Sequence, residues 1–395
     1  MMFQAVLSNR DHPEYGVATI PFPIPHDQYA HCMELLEALE IGDAVKADCK
    51  VEKIDSFYTV LKRTEMLTVN VEELNYLAKR LDSFDTGEAA QFQAMAHKLE
   101  LFELKDLINL TFCCQQATVI TDFSDLAAIG RDHYMNLHGG SASVDELNKL
   151  DSEETARRLI ESGGGTITPY GVVYDNGMKL EQVYDGRFFP CYYYEPNAIT
   201  VAVTSKSELE DTEHITWLYL PMEREEVDRA LLRGGITDPA DVRLRLEDSQ
   251  LPNEVDVLLD MEYETLSDLN ELAAATDGLS KADMEKLGAV VMLAKPKSAA
   301  QIKNLAESLD LFDLAPGAHT PQEYGKYMIQ QSGHFDYDEN LDAFYDYEKY
   351  GTERMNAEDG MFTDRGYIAY KGYISMEEVM NGSQSSHMEM GGLSR

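Results

Sequence analysis

Carboxylates are the one reactive group that this chain supplies in excess. Glu34, Glu37 and Glu40 recur every three residues, and Glu223, Glu225, Glu226 and Asp228 crowd a second stretch. A third group, Asp342, Asp346, Glu348, Glu353, Glu358 and Asp359, surrounds a tyrosine-rich segment. Neighbours at i+3 or i+4 on a helix stand about 5–6 Å apart, a spacing comparable with that of successive phosphates along a strand. Like charges so placed cost stability, and a merely soluble protein gains by interleaving lysine. The pattern therefore points to surfaces that present negative charge, with ordinary solvated helix faces as the plain alternative.

Other chemistries find little support. There is no GxxxxGK[ST], HExxH, GxSxG or Rossmann glycine fingerprint. Gly163-Gly164-Gly165 precedes Thr166 and an apparent strand, which suits a turn and not a phosphate cradle. His133 and His138 lie five apart and do not share a helix face, and Cys113-Cys114 closes an apolar stretch as buried thiols would. Asp336, Asp338 and Asn340 imitate the first ligands of a calcium loop. That loop would need glycine where Leu341 stands and glutamate where Tyr347 stands. No catalytic residue, cofactor or metal is expected.

The 395 residues carry 71 Asp and Glu against 33 Lys and Arg, a formal net charge of −38. DNA, RNA and anionic membranes are repelled by such a chain, whereas a basic surface is attracted. The longest apolar run, 289–294, is far too short to span a membrane, and no signal-like h-region opens the chain. Five cysteines without a CxxC pair imply neither a disulfide framework nor a structural zinc site. A cytoplasmic protein is expected. With 44% apolar residues the chain can still bury several cores.

An internal repeat organises these features. At an offset of 195 residues ELNYLA at 73–78 meets DLNELA at 268–273, DLINL at 106–110 meets QIKNL at 301–305, and Gly130 meets Gly325. GTITPYG at 165–171 meets GMFTDRG at 360–366. Residues 1–195 hold 32 acids and 16 bases, net −16; the remainder hold 39 and 17, net −22. The charge thus belongs to both halves.

Each half reads as a small ββαβ module, a short helical bundle and a second small α+β module, giving an elongated α+β tandem duplication. Strands are expected at 2–8, 17–22 and 47–54 with a helix at 26–39, and again at 198–204, 214–220 and 242–247 with a helix at 222–233. Asn70 with Glu73, Asp85 with Glu88, Thr265 with Asp268 and Ser280 with Asp283 mark helix starts. Leu74, Leu77, Leu81, Phe92, Met95 and Leu99 follow at helical spacing in the first copy. Leu269, Leu272, Leu287, Val290 and Val291 do so in the second. Thr320, Pro321 and Glu323 open a further helix. The expected modules are 1–66, 67–116 and 117–195, then 196–262, 263–308 and 309–382, with a disordered tail at 383–395.

LDAFYDYEKYG at 341–351, followed by GMFTDRGYI at 360–368, resembles the C-terminal signature of the ArdA antirestriction proteins. Its positions fall on Leu341, Tyr345, Asp346, Tyr347, Tyr350 and Gly351, then Gly360, Phe362, Thr363, Gly366 and Tyr367. VEELNYLAKRLD and LKDLINL resemble the family's middle helical module. Where the family continues with Arg-Asp, this chain has Thr352-Glu353, and LNKLDSEETARR at 147–158 lacks both tyrosines and the glycine.

The resemblance implies a non-enzymatic mimic of bent B-form DNA that occupies the DNA groove of type I restriction–modification enzymes. Such proteins are carried by conjugative plasmids and transposons, and they bind no nucleic acid themselves. Tyr345, Tyr347 and Tyr350 are then packing or dimer contacts, in a homodimer or in an intrachain pseudo-dimer. The 38 net charges correspond to about 65 Å of duplex, on the order of 19 base pairs. Two rivals keep the same composition: an acidic module for another basic nucleic-acid-handling protein, and a carboxylate-based hydrolase.

Overall fold

Local chemistry starts the helices where the side-chain pattern places them. In the computed structural model, which describes residues 2–207, 214–334 and 336–382, Asn70 Oδ1 accepts from the Glu73 amide and opens helix α2 (Val71–Asp82). Asp85 and Glu88 form a reciprocal capping box that opens α3 (Thr86–Lys98). Thr265, Ser280 and Thr320 cap α10 (Leu266–Thr276), α11 (Lys281–Ala294) and α13 (Pro321–Gln330) in the same way. Each cap satisfies an otherwise orphaned amide and contributes about 1 kcal/mol. The tail at 383–395 lies outside the described residues.

The chain falls into two compact units, the first of residues 1–194, 211–217 and 223–239, the second of 195–210, 218–222 and 240–395. In the first, β1 (Phe3–Asn9) lies between β2 (Val17–Phe22) and β3 (Cys49–Ser56), with β4 (Thr68–Val69) beyond β3. Helix α1 (Tyr29–Glu37) buries Tyr29, Cys32, Met33 and Leu36. α2, α3 and α4 (Leu104–Leu110) follow, with Leu74, Leu77, Leu81, Phe92 and Met95 almost wholly buried. Burial of each such side chain contributes about 1.5–3 kcal/mol. Leu99, expected inward, is the C-cap of α3 and stays half exposed because the helix has ended before it can turn toward the core.

A second sheet in this unit has the order β5 (Thr118–Ile120), β7 (Gly171–Tyr174), β6 (Thr166–Thr168). α5 (Leu126–Leu137), α6 (Val144–Lys149) and α7 (Ser152–Glu161) lie between β5 and β6 in the chain. Helix α8 (Arg224–Arg233) also belongs to the first unit.

The second unit runs through a similar series. β8 (Ile199–Ser205) lies between β9 (Thr216–Leu220) and β10 (Val242–Ser249), the order of β1 between β2 and β3. A short α9 (Asn253–Asp256) precedes α10, α11 and α12 (Ala299–Ala306). The last sheet is β11 (Phe312–Pro316), β13 (Gly366–Tyr370), β12 (Asp359–Thr363). α13 and α14 (Tyr347–Ala357) precede its hairpin, and α15 (Met376–Met380) follows. Leu269, Leu272, Leu287, Val290 and Val291 are all buried.

The last modules hold more helices than the sequence pattern predicts: α6, α7, α14 and α15 accompany α13, which Thr320, Pro321 and Glu323 open, and its counterpart α5. α14 crosses through Gly351 and has no wide apolar stripe, whereas α7 sets Ala156, Leu159 and Ile160 inward at helical spacing among charged residues. A Cβ on Gly130 would come within 1.8 Å of the Ser152 carbonyl oxygen, and one on Gly325 within 2.0 Å of that of Tyr347. The missing glycine of 147–158 is thereby explained: Ala156 stands at the place of Gly351, and both are buried at a helix crossing.

The two hairpins are built alike. Thr168 Oγ1 donates to the Gly171 carbonyl (2.8 Å) and Thr363 Oγ1 to that of Gly366 (2.9 Å). Both glycines have positive φ, +126° and +133°, and a side chain at either would strike the neighbouring strand. This is why Gly, Thr and Gly recur together in the sequence.

Candidate target-binding surface

The acids separate by the direction in which their backbones point them. On α1, Glu34 and Glu37 are exposed one turn apart. Glu40 is also exposed but is not on the helix: α1 ends at Glu37, and Glu40 has a φ of 56° in the turn that follows. On α8, the N-cap Glu223 with Glu225 and Asp228 is exposed, whereas Glu226 is turned inward beside His26 at 3.8 Å.

The third group divides likewise. Asp346 is exposed and caps α14 by accepting from the Lys349 amide; Glu348, Glu353 and Asp359 are also exposed. Asp342 is different. Its Oδ1 accepts from the Tyr337 hydroxyl (2.8 Å), the Tyr347 hydroxyl (2.5 Å) and Gln330 Nε2 (2.8 Å). Those hydroxyls, Tyr347 first, hold its carboxyl below the usual range. Glu358 is only 12% exposed, ion-paired with Arg354 at 2.5 Å and accepting from the Tyr324 hydroxyl at 2.6 Å. Asp342 and Glu358 are thus committed to partners within the last module, some of them close in sequence (Tyr337, Tyr347, Arg354), and Glu226 is partly covered beside the exposed His26.

The signature tyrosines pack rather than project. Tyr345 lies between the Tyr337 and Tyr347 rings, at 6.0 and 5.8 Å between centroids, and Tyr350 packs on the core of Tyr324, Met328 and Tyr367. Gly351 sits against Pro321 at the α13–α14 crossing, and Leu341 is about half exposed on the preceding turn at Glu339–Phe344. Asp338 caps that same turn by accepting from the Asn340 amide, so the calcium-like aspartate has a local backbone role.

Several cations take the opposite direction. Arg229 Nε donates to Glu72 at 2.7 Å and to the Tyr29 hydroxyl at 3.1 Å. Arg233, 5% exposed, donates to the carbonyls of Ala44, Arg187 and Gly186, to Asn70 Oδ1 and to the Tyr184 hydroxyl, and lies 4.3 Å over the Phe189 ring. In the second unit Arg365 bridges Glu254 and Glu285. Of the acids that partner these arginines, Glu72 and Glu73 are mostly covered, Glu254 is partly so and Glu285 is half exposed, while Glu34, Glu37, Glu225, Asp228, Glu348 and Glu353 remain outward.

Sequence reading missed Arg229 and Arg233 because their partners lie far away in the chain. The available signal was their i, i+4 spacing on a helix whose acids occupy the other positions.

α1 and α8 lie together within the first unit. His26, just before α1, is 3.8 Å from Glu223 and from Glu226, and Ala30 shares an open recess of about 470 Å³ with Glu223, Arg224, Glu225, Asp228, Arg229 and Leu232, in which the exposed Arg224 lies 3.8 Å from Asp228. Glu34 is one turn along α1 from Ala30, on the same stripe. Acids that sequence reading assigned to separate copies are thus neighbours.

Among the described residues no cluster of three or more His, Cys, Asp or Glu could hold a metal ion. Cys113 and Cys114 are buried, and burial raises both thiols. His133, whose Nδ1 is 2.9 Å from Thr118 Oγ1, is disfavoured as a cation by burial. No helix among the described residues is long and apolar enough to cross a membrane. Residues 212–369 match the family model of the antirestriction protein ArdA. No curated protein matches the sequence.

Proposed function

We propose that this ArdA-type chain, whose family implies an antirestriction function, acts as a non-enzymatic DNA mimic. Its target is the DNA-binding groove of a type I restriction–modification enzyme. Exposed carboxylates stand in for phosphates, occupy the basic groove and exclude duplex DNA by competition. The observation that carries this reading is the division of charge: Glu34, Glu37, Glu40, Glu223, Glu225, Asp228, Asp346, Glu348, Glu353 and Asp359 face solvent. Arg229, Arg233, Arg354 and Arg365 are held against Glu72, Glu73, Glu358, Glu254 and Glu285.

Glu226, Asp342 and Glu358 leave the contact set and become supports for it. Tyr345, Tyr347 and Tyr350 are read as packing that holds the α14 acids in place. A groove filled in this way recognises charge over a surface, so no single acid is indispensable.

The test is an in vitro restriction assay with a purified type I enzyme, titrated with this protein at low and high salt. Inhibition should weaken steeply as salt rises and should be relieved by excess duplex DNA. Salt-independent inhibition, or inhibition that duplex DNA cannot relieve, overturns the mimic. Pull-down of a basic partner without any DNA competition would instead favour the acidic interaction module.

A further inference from the structure

The geometry points to Arg233, assisted by Arg229, as a positioning residue that builds one composite acidic face from α1 and α8. This rests on the mimic reading and deepens it: the acids of the two helices act as a single contact site for the target, not as two.

The argument begins with how much of Arg233 is used. A guanidinium can make five N–H donations, and burying it without partners is very costly. Here Nε donates to the Arg187 carbonyl (2.8 Å), Nη1 to the Ala44 carbonyl (2.9 Å) and Asn70 Oδ1 (3.0 Å), and Nη2 to Tyr184 and the Gly186 carbonyl. Arg187 returns a bond from its Nε to the Arg233 carbonyl (2.8 Å). The receiving groups are the cap of α2, the loop before β3 and the 184–187 segment, all parts of the first unit. Arg229 adds Glu72, on the first turn of α2, and Tyr29, the first residue of α1. The two arginines lie one turn apart on α8 and fasten it along one side. Glu225 and Asp228 remain exposed beside Ala30.

The fastening is specific to this pair of helices. At the 195-residue offset, α1 has Glu34 where α8 has Arg229, and Ala38 where α8 has Arg233. The receiving positions Asn70, Glu72 and Tyr184 correspond to Thr265, Ser267 and Val379. The arginines occur only on α8 and their receptors only in the first half. The contact is therefore made once, within the chain, and neither half offers a second copy of it.

The decisive measurement is a double-mutant cycle on affinity for a purified type I enzyme. One arm is Glu34→Gln with Glu37→Gln; the other is Glu225→Gln with Asp228→Asn. In the wild-type chain the two arms should be coupled by about threefold to tenfold, as neighbouring groups on one site are. Arg233→Met keeps every surface acid, yet should weaken binding by about tenfold and make the arms additive. A merely structural role would not abolish the coupling.

Additive arms in the wild-type chain, or unchanged affinity and coupling in a folded Arg233→Met, overturn the proposal. Should Arg233→Met fail to fold, the charge swap decides. Arg229→Glu should weaken binding and coupling, and Arg229→Glu with Glu72→Arg should restore both; a swap that restores neither overturns it. A readout without the target separates this failure from failure of the mimic reading. With Cys191→Ser and dyes at Glu34→Cys and Glu225→Cys, energy transfer should fall when Arg233→Met is added. Unchanged transfer counts against the positioning role even if no restriction enzyme is inhibited.

Discussion

The two closing modules, α5 with α7 and α13 with α14, solve the same packing problem with opposite chemistry. In both, a glycine on the first helix lets the second approach to backbone contact, and in both a Thr-x-x-Gly turn closes the hairpin behind. Around the first crossing the core is Ile120, Ile129, Ala156, Leu159 and Tyr174. At the corresponding places of the second stand Tyr324 for Ile129, Arg354 for Leu159 and Gly351 for Ala156. Asp342, where the first module has Leu147, gathers three donors. A shared backbone therefore does not require a shared core. Polar side chains replace apolar ones here with most of their partners supplied together, while Arg354 Nε and the buried Tyr367 hydroxyl find none.

The sharpest way to break this comparison is to crowd both crossings. Gly130→Leu and Gly325→Leu should each cost about 3 kcal/mol or more of stability, since neither helix can retreat without opening its module. Denaturant unfolding that shows a loss in only one of the two would mean that the crossings are not equivalent. Gly351→Ala should be nearly as harmful, because its Cβ would come within 1.8 Å of the Pro321 carbonyl, although alanine serves at 156.

The polar core comes next. Arg354→Leu leaves Glu358 and the Tyr324 hydroxyl without their cation and should cost about 1–3 kcal/mol, toward the lower end because Arg354 is partly exposed. Adding Tyr324→Ile and Glu358→Gln, which imports the character of the first module, should recover most of that loss. If the triple variant is worse than the single one, the apolar solution does not transfer.

A smaller effect distinguishes the modules by pH. Asp342 has a folded pKa below its unfolded value of about 3.9, so its contribution is complete above that pH and fades as pH falls through the folded value. Amide exchange over 337–351, corrected for intrinsic rates, should lose more protection on acidification than 142–156, where Leu147 stands in place of Asp342 and the carboxyl held low is that of Glu146 in its capping box with Ser143. Asp342→Asn should remove the difference.

The smallest effects concern the residue two places after each hairpin threonine. Tyr170 reaches Thr59 at 2.8 Å, whereas Arg365 reaches Glu254 at 2.8 Å, and Thr59 and Glu254 are themselves 195 residues apart. Arg365→Ala should cost about 1 kcal/mol, less at high salt, and Tyr170→Phe about 0.5 kcal/mol at any salt. Equal salt sensitivity would erase this last contrast.

Much of the fold was legible because its signals are local. Caps such as Asp85 with Glu88, the apolar spacing from Leu74 to Leu81, and the paired Gly-Thr-Gly turns each act within a few residues. The crossing helices were harder to read: α14 closes on Gly351 with little apolar periodicity, and in α7 only Ala156, Leu159 and Ile160 fall at helical spacing among charged residues. The acids were legible as a population but not one by one. Whether Glu226 or Glu358 faces outward depends on His26 or Tyr324, and nothing adjacent in the chain announces those partners. The arginines of α8 were overlooked for the same reason.

The inward arginines also carry a thermodynamic consequence. On α1 and α8 the exposed carboxylates outnumber the exposed Arg224, which lies 3.8 Å from Asp228, and the excess is neutralised in solution by a loose atmosphere of potassium or sodium. A basic groove that replaces this atmosphere sets those ions free, as protein cations do when they displace the ions condensed on duplex DNA. Much of the drive for association would then be the entropy of released ions rather than the heat of new contacts. By holding Arg229 and Arg233 inside, the protein keeps its loosest ions where a partner can liberate them.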